Sequence, residues 1–110
     1  MADRLGSFEL LLLLAVLRLS GEDDSYGVPI RADIERRTGR VVSPGAIYTA
    51  LDRLERRGLV HSRLGDPTPQ RGGKRKRHYR LTVKGVAEAR RAQADIARMA
   101  HGLQPKLETP

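Results

Sequence analysis

Cations supply most of the chemistry this chain can do. From Arg63 to Arg80 there are seven Lys or Arg, at 63, 71, 74, 75, 76, 77 and 80, against one acid, Asp66, so six of the eight net positive charges lie within eighteen residues. Such a patch suits a polyanion, because Lys and Arg neutralise phosphates and release the counterions around them. Taken alone, the tract Lys74-Arg-Lys-Arg77 also fits a solvated charge run or a localisation signal. Tyr79-Arg80-Leu81 follows at once and needs a hairpin, which favours phosphate or minor-groove contact by Arg71, Lys74, Arg75, Lys76 and Arg77.

Other chemistry finds little support. His61 and His78 could face each other across that hairpin, but a pair without a third ligand is a poor metal site, and His101 lies far along the chain. Gly72-Gly73-Lys74 resembles part of a phosphate-binding loop, yet Thr68 stands where the first glycine belongs and Arg75 where Ser or Thr should follow. No Ser, His and acid grouping marks a nucleophile. The chain reads as a binder with no cofactor and no metal, not as an enzyme. It has no cysteine, which excludes disulfides and thiolate metal sites and is compatible with a reducing compartment.

The residues beside the patch must be held by a helix. Ser43 can cap it, Pro44 suits its first position, and Gly58 ends it. At 100° per residue, Ile47, Ala50, Leu51 and Leu54 share one apolar arc. Gly45, Thr49, Asp52 and Arg56 point the opposite way, with Tyr48 and Arg53 on the flanks. Small Gly45 and Ala46 permit close approach to a phosphate or base edge, and the free amides of the first turn favour an anion. Thr49 can donate to phosphate or meet a thymine methyl. Tyr48 can either reach phosphate with its hydroxyl or serve as a partly buried core aromatic. Asp52 repels phosphate, which places the contact on the N-terminal half, with Ser43, Gly45, Tyr48, Thr49 and Arg53 at a major groove.

Three further helices and a hairpin complete the reading. A first helix starts at Ser7, whose hydroxyl can cap it, and runs to about Leu19. Its apolar residues surround most of it, so one side can face its own core while the other invites a second subunit. Tyr26, Ile30 and Ile34 mark a second helix that starts between Ser25 and Val28, keeps Pro29 in its first turn, and ends near Thr38-Gly39. Leu59 to Leu64 and Arg77 to Thr82 read as strands, with Tyr79 and Leu81 turned one way and His78 and Arg80 the other. The loop between them holds Pro67, Pro69, Gly72 and Gly73 and is too broken for regular structure. Thr82 caps a fourth helix to about His101, on which Val86, Ala89, Ile96, Ala100 and Leu103 form a narrow seam suited to a partner helix. The residues from Gln104 to Pro110 read as frayed.

The order helix, helix, helix, wing predicts a mainly α fold with a small β-hairpin: a winged helix-turn-helix over 1–82, a dimerisation helix over 83–104 and a flexible tail over 105–110. At 110 residues the chain holds one small domain with no room for a separate catalytic one. Leu10 to Leu17 is an unbroken apolar run of eight residues, too short for a bilayer that needs ~20. Asp3 and Glu9 flank it with no small-residue cleavage pattern after it. The expectation is a cytoplasmic protein that does not enter the membrane.

With these residues placed, the chain resembles the PadR family of bacterial transcriptional regulators. The resemblance rests on Ser25-Tyr-Gly27, on Ser43-Pro-Gly-Ala-Ile-Tyr48 with Leu51 and Leu54, on Glu55-Arg-Arg-Gly-Leu-Val60, and on Tyr79-Arg-Leu-Thr-Val-Lys-Gly85. It covers roughly Gly6 to Met99, and the single C-terminal helix is like that of the family's short subgroup. It implies a homodimeric, usually repressing regulator that binds double-stranded DNA at an inverted repeat, with the C-terminal helix packed on the partner's first helix. Phe8, Leu11, Leu12, Val86, Ala89, Ile96, Met99 and Leu103 are the interface residues this predicts. Some short members hold flat aromatic drugs between Trp residues at the dimer centre. This chain has no Trp, and Phe8 and Met99 are left to line any such effector cavity. The wing departs from shorter ones by the stretch Asp66 to Gln70. A basic RNA- or ribosome-associated protein is the competing reading; three Tyr and one Phe, mostly at core positions, offer little for stacking on single strands.

Overall fold

Glu9, not Ser7, sets where the first helix begins. In the computed structural model, which describes residues 4–66 and 75–109, α1 runs Ser7–Ser20 with Gly6 as its cap residue. The Gly6 amide donates to the Glu9 carboxylate at 2.9 Å. An acid three residues past the cap can satisfy that orphan donor, which leaves Ser7 as the first helical residue and corrects its expected capping role. Glu9 also pairs with Arg57 at 3.1 Å, joining the start of α1 to the end of the third helix.

α2 spans Gly27–Thr38 with Pro29 in its first turn, and Gly39 closes it at φ 74. That left-handed conformation is one glycine adopts without a Cβ penalty. α3 spans Pro44–Arg56, and the Ser43 hydroxyl accepts the Ala46 amide at 3.1 Å. β1 (Val60–Leu64) and β2 (Arg77–Leu81) form a two-stranded antiparallel sheet. α4 (Val83–Ala100) is capped by Thr82, whose hydroxyl accepts the Gly85 amide at 3.0 Å. A short helix, α5 (Gln104–Glu108), follows where the sequence suggested a frayed end. Pro at its second position and a Gln104 to Glu108 side-chain bond of 2.9 Å hold that turn.

α1 is the centre of the molecule, touching α2, α3, β2 and α4. Leu12, Leu13 and Val16 of α1 meet Ile30 and Ile34 of α2, Ile47, Leu51 and Leu54 of α3, and Leu59, Val60 and Tyr79 of the hairpin region in one buried cluster. Each such side chain contributes about 1.5–3 kcal/mol on burial, so the apolar arc of α3 fixes which of its faces remains outside. Among the described residues two polar side chains are buried, Ser25 and Asp33. Asp33 of α2, 2% exposed, takes Arg18 of α1 at 2.7 Å, Arg37 at 2.9 Å and Arg36 at 3.0 Å. Burial opposes its ionisation, but hydrogen bonds from Arg37 and Arg18 outweigh that, and its carboxyl titrates below the ordinary range. Among the described residues no helix is long and apolar enough to cross a membrane.

Candidate nucleic-acid interface

The outer face of α3 is built by subtraction. Ile47, Ala50, Leu51 and Leu54 are buried, which leaves Gly45, Ala46, Tyr48, Thr49, Asp52, Arg53 and Arg56 exposed. Asp52 and Arg56 pair at 3.1 Å and occupy each other at the C-terminal half. Arg53, in the last turn, makes no ion pair among the described residues, so the outer face keeps Thr49 in its N-terminal half and Arg53 beyond it for an outside partner. The expected row of free amides is narrower than the sequence implied. Pro44 has none, Ala46 donates to the Ser43 hydroxyl, and Ile47 donates to the Ser43 carbonyl at 3.2 Å. Among the described residues this leaves the Gly45 amide, and Ser43 is engaged as the cap.

Tyr48 lies between the two alternatives open for it. Its side chain is 47% exposed, yet its hydroxyl rests on Gly27, where any Cβ would collide with it. The ring thus spans from the exposed face of α3 to the first residue of α2. Arg31 of α2 donates through Nε to the Val42 carbonyl just ahead of the Ser43 cap. Neither Gly27 nor Arg31 stands out as a positioning residue in the sequence, although Gly27 lies in the Ser25-Tyr-Gly27 motif.

The hairpin is fastened on three sides. Ser25 donates its hydroxyl to the Tyr79 carbonyl at 2.6 Å and accepts the Tyr79 amide on its own carbonyl at 2.8 Å. The segment before α2 therefore lies along β2 as a strand would. On the α3 side, the Glu55 carboxylate accepts the Ser62 hydroxyl and amide, at 2.9 Å and 3.1 Å respectively, and Arg77 donates to that hydroxyl at 3.0 Å. The third tie is Gly85, whose missing side chain lets the first turn of α4 sit against the Leu59 carbonyl.

The cations of the wing have separate surroundings. The Lys76 ammonium stands 4.5 Å from the centre of the Tyr26 ring, and Arg75 donates to the Gly65 carbonyl at 2.8 Å. Arg75, Lys76 and Arg77 are all exposed. Arg71 and Lys74 lie outside the described residues, as do Pro67 to Gln70. The strand register corrects the expected histidine pair: His61 stands opposite Arg80, and His78 opposite Arg63. The two imidazoles share a face but are offset by two residues along the strands, because a two-residue period sets the face of a side chain and not its partner.

The predicted interface residues divide. Leu12 is fully buried and Ala89 is 4% exposed within the single chain. Both belong to the protomer's own core, a correction that follows from α1 being covered by α2, α3 and α4 together. Phe8, Leu11 and Val86 are partly buried, with Arg40 set 5.5 Å from the Phe8 ring centre. Ile96, Met99 and Leu103 are exposed, as is Leu107 of α5.

Three helices, a two-stranded wing and a fourth helix in this order define a DNA-binding winged helix-turn-helix fold, α2 and α3 being its helix-turn-helix. Residues 13–91 match the transcriptional regulator PadR-like family, and the chain belongs to it. It is 35% identical over 96 residues to transcriptional regulator Rv3488 of Mycobacterium tuberculosis, a match covering 83% of both proteins. A match of 36% identity over 74 residues joins it to an uncharacterised protein of Lysinibacillus sphaericus and covers 66% of this chain but only 65%, just under two thirds, of that protein. The crystal structure of a PadR-like transcriptional regulator from Bacillus cereus superposes with a TM-score of 0.70 at 18% identity, covering 94% of this chain and 93% of that one. That likeness is one of fold.

Proposed function

We propose that the chain works as a homodimer that binds an inverted-repeat DNA operator and represses transcription by occupying it. Thr49, Arg53, Tyr48 and the Gly45 amide face the major groove, with Ala46 permitting close approach and Ser43 shaping the turn. Arg75, Lys76 and Arg77, together with Arg71 and Lys74, lie along phosphates or the minor groove. The observation that carries this reading is the uncommitted N-terminal half of α3 beside a hairpin whose exposed cations are held in place. Side chains on the helix supply base contacts, and cations on the wing supply affinity without sequence.

The second subunit packs on the exposed Ile96, Met99, Leu103 and Leu107, with Phe8, Leu11 and Val86 at the margin. A two-fold dimer presents the same patch twice and sets two copies of α3 about one DNA turn, ~34 Å, apart. Selection of binding sites from random duplexes with the purified chain tests this. Recovery of a palindrome with half-sites one turn apart supports it. Recovery of unrelated sequences, or displacement of duplex by single-stranded RNA, overturns it in favour of an RNA-associated protein.

A further inference from the structure

One face of the hairpin carries a group of cations that continues toward Lys76, whose ammonium lies over the Tyr26 ring that also meets His78. Register places His61 beside Arg80 and Arg63 beside His78 on this face, and all four line a cleft of about 240 Å³ together with Ser20, Asp23 and Ser25. The cleft is smaller than the roughly 300–1,000 Å³ of sites for drug-sized ligands. Arg80 has no hydrogen-bond or ion-pair partner among the described residues, nor does His61. His78 is 14% exposed in its side chain, and its Nδ1 is buried without a hydrogen-bond partner, 3.7 Å from the Asp23 carboxylate.

Asp23 is the single acid of the cleft. It reaches across from the α1–α2 loop to Arg63 at 2.9 Å, and it holds a left-handed backbone at φ 59, a conformation that few residues other than glycine adopt. Two guanidiniums against one carboxylate leave a net charge of one before either imidazole takes a proton. Arg presents its donors as a fork that matches the paired oxygens of a phosphate or carboxylate.

We infer that this cleft binds a small free oxyanion, held by Arg80, Arg63 and His61, with His78 at its floor. The ligand shares or replaces Asp23 at Arg63 and so loosens the tie between the α1–α2 loop and β1. Inorganic phosphate is the probe. In a titration of the full chain at fixed pH and ionic strength, the ring signals of His61 and His78 shift saturably, while His101, exposed beyond the end of α4, stays in place. Arg80→Ala, at an exposed site with no partner to lose, weakens the apparent affinity at least tenfold, and Asp23→Asn strengthens it severalfold by freeing Arg63. Parallel drift of all three histidines, no movement of any, or an Arg80→Ala chain that binds as before overturns the inference. Movement of His61 and His78 with duplex DNA but not with phosphate also overturns it and gives this face to nucleic acid.

Discussion

Single residues set both the precision of the reading surface and its stability. Thr49 has no side-chain partner among the described residues and is exposed on the outer face of α3. Replacing it with Ala alters preference among operator variants by about 1–3 kcal/mol at one position, measured by competition between duplexes. A uniform loss across all duplexes counts against base contact there. Gly27→Ala probes the packing beneath Tyr48. The atom in the way is the far end of a half-exposed ring, so the ring swings aside and stability falls by less than about 1 kcal/mol. DNA affinity falls with it, and Tyr48→Ala removes the dependence in a double-mutant cycle. Asp33→Asn deprives Arg18 and Arg37 of their carboxylate and costs about 2 kcal/mol at neutral pH. Because the Asp33 carboxyl titrates below its unfolded value, its stabilisation is complete above pH ~4 and fades as pH falls through the lower folded value. Denaturant melts of parent and variant therefore converge in acid. The opposed faces of α3 could be read from its sequence at this level, since each of its apolar residues had an angular position. The start of α1 at Ser7 could be read as well, but not its cap: a hydroxyl at Ser7 and a carboxylate at Glu9 are both capping groups, and the backbone turn at Gly6 decides between them.

Elements gain their positions from a few contacts that lie far apart in sequence. The pairing of Ser25 with Tyr79 joins residues 54 apart, and no local period points to it. Strand order and facing followed from alternation of side chains, yet the pairing of His61 with Arg80 depended on how the loop between the strands meets them. The Pro- and Gly-rich composition of that loop gave no register. Gly85 is the counterpart of Gly27 with the opposite response. An added Cβ there meets the Leu59 carbonyl, which is backbone and cannot turn away. Gly85→Ala is expected to lower stability by about 2–3 kcal/mol, read as a lower denaturant midpoint with an unchanged slope. A midpoint within error of the parent would show that α4 can retreat from the hairpin.

At the scale of the whole molecule, charge and apolar surface divide the work. On the proposed function the wing cations act through phosphate at every sequence. Replacing Lys74 to Arg77 by Ala weakens all duplexes alike and flattens the plot of log K against log salt by about 0.9 for each phosphate no longer neutralised; an unchanged slope refutes the wing's part. The exposed apolar residues of α4 and α5 are the surface proposed for the second copy. Ile96→Asp with Met99→Asp places two charges at exposed sites, leaves the protomer folded, and shifts the sedimentation mass from twice 12.2 kDa toward 12.2 kDa, with loss of operator binding. The apolar spacing of α4 could be read from sequence, but Leu12, expected at an interface, and Ala89, expected in the seam, are buried within the single chain. Periodicity reports that a face is apolar and does not say whether the cover comes from the same chain or from another.

The two-way bond between Ser25 and Tyr79 makes the entrance to α2 and the wing strand one solid piece, with α3 joined to it through Glu55 and Ser62. On the proposed function the chain is in this respect a caliper: the gap between what its helix would read and what its hairpin would grip is set before any duplex arrives. Exchanging side chains on the outer face of α3 can then change the letters of an operator while its ruler stays the same.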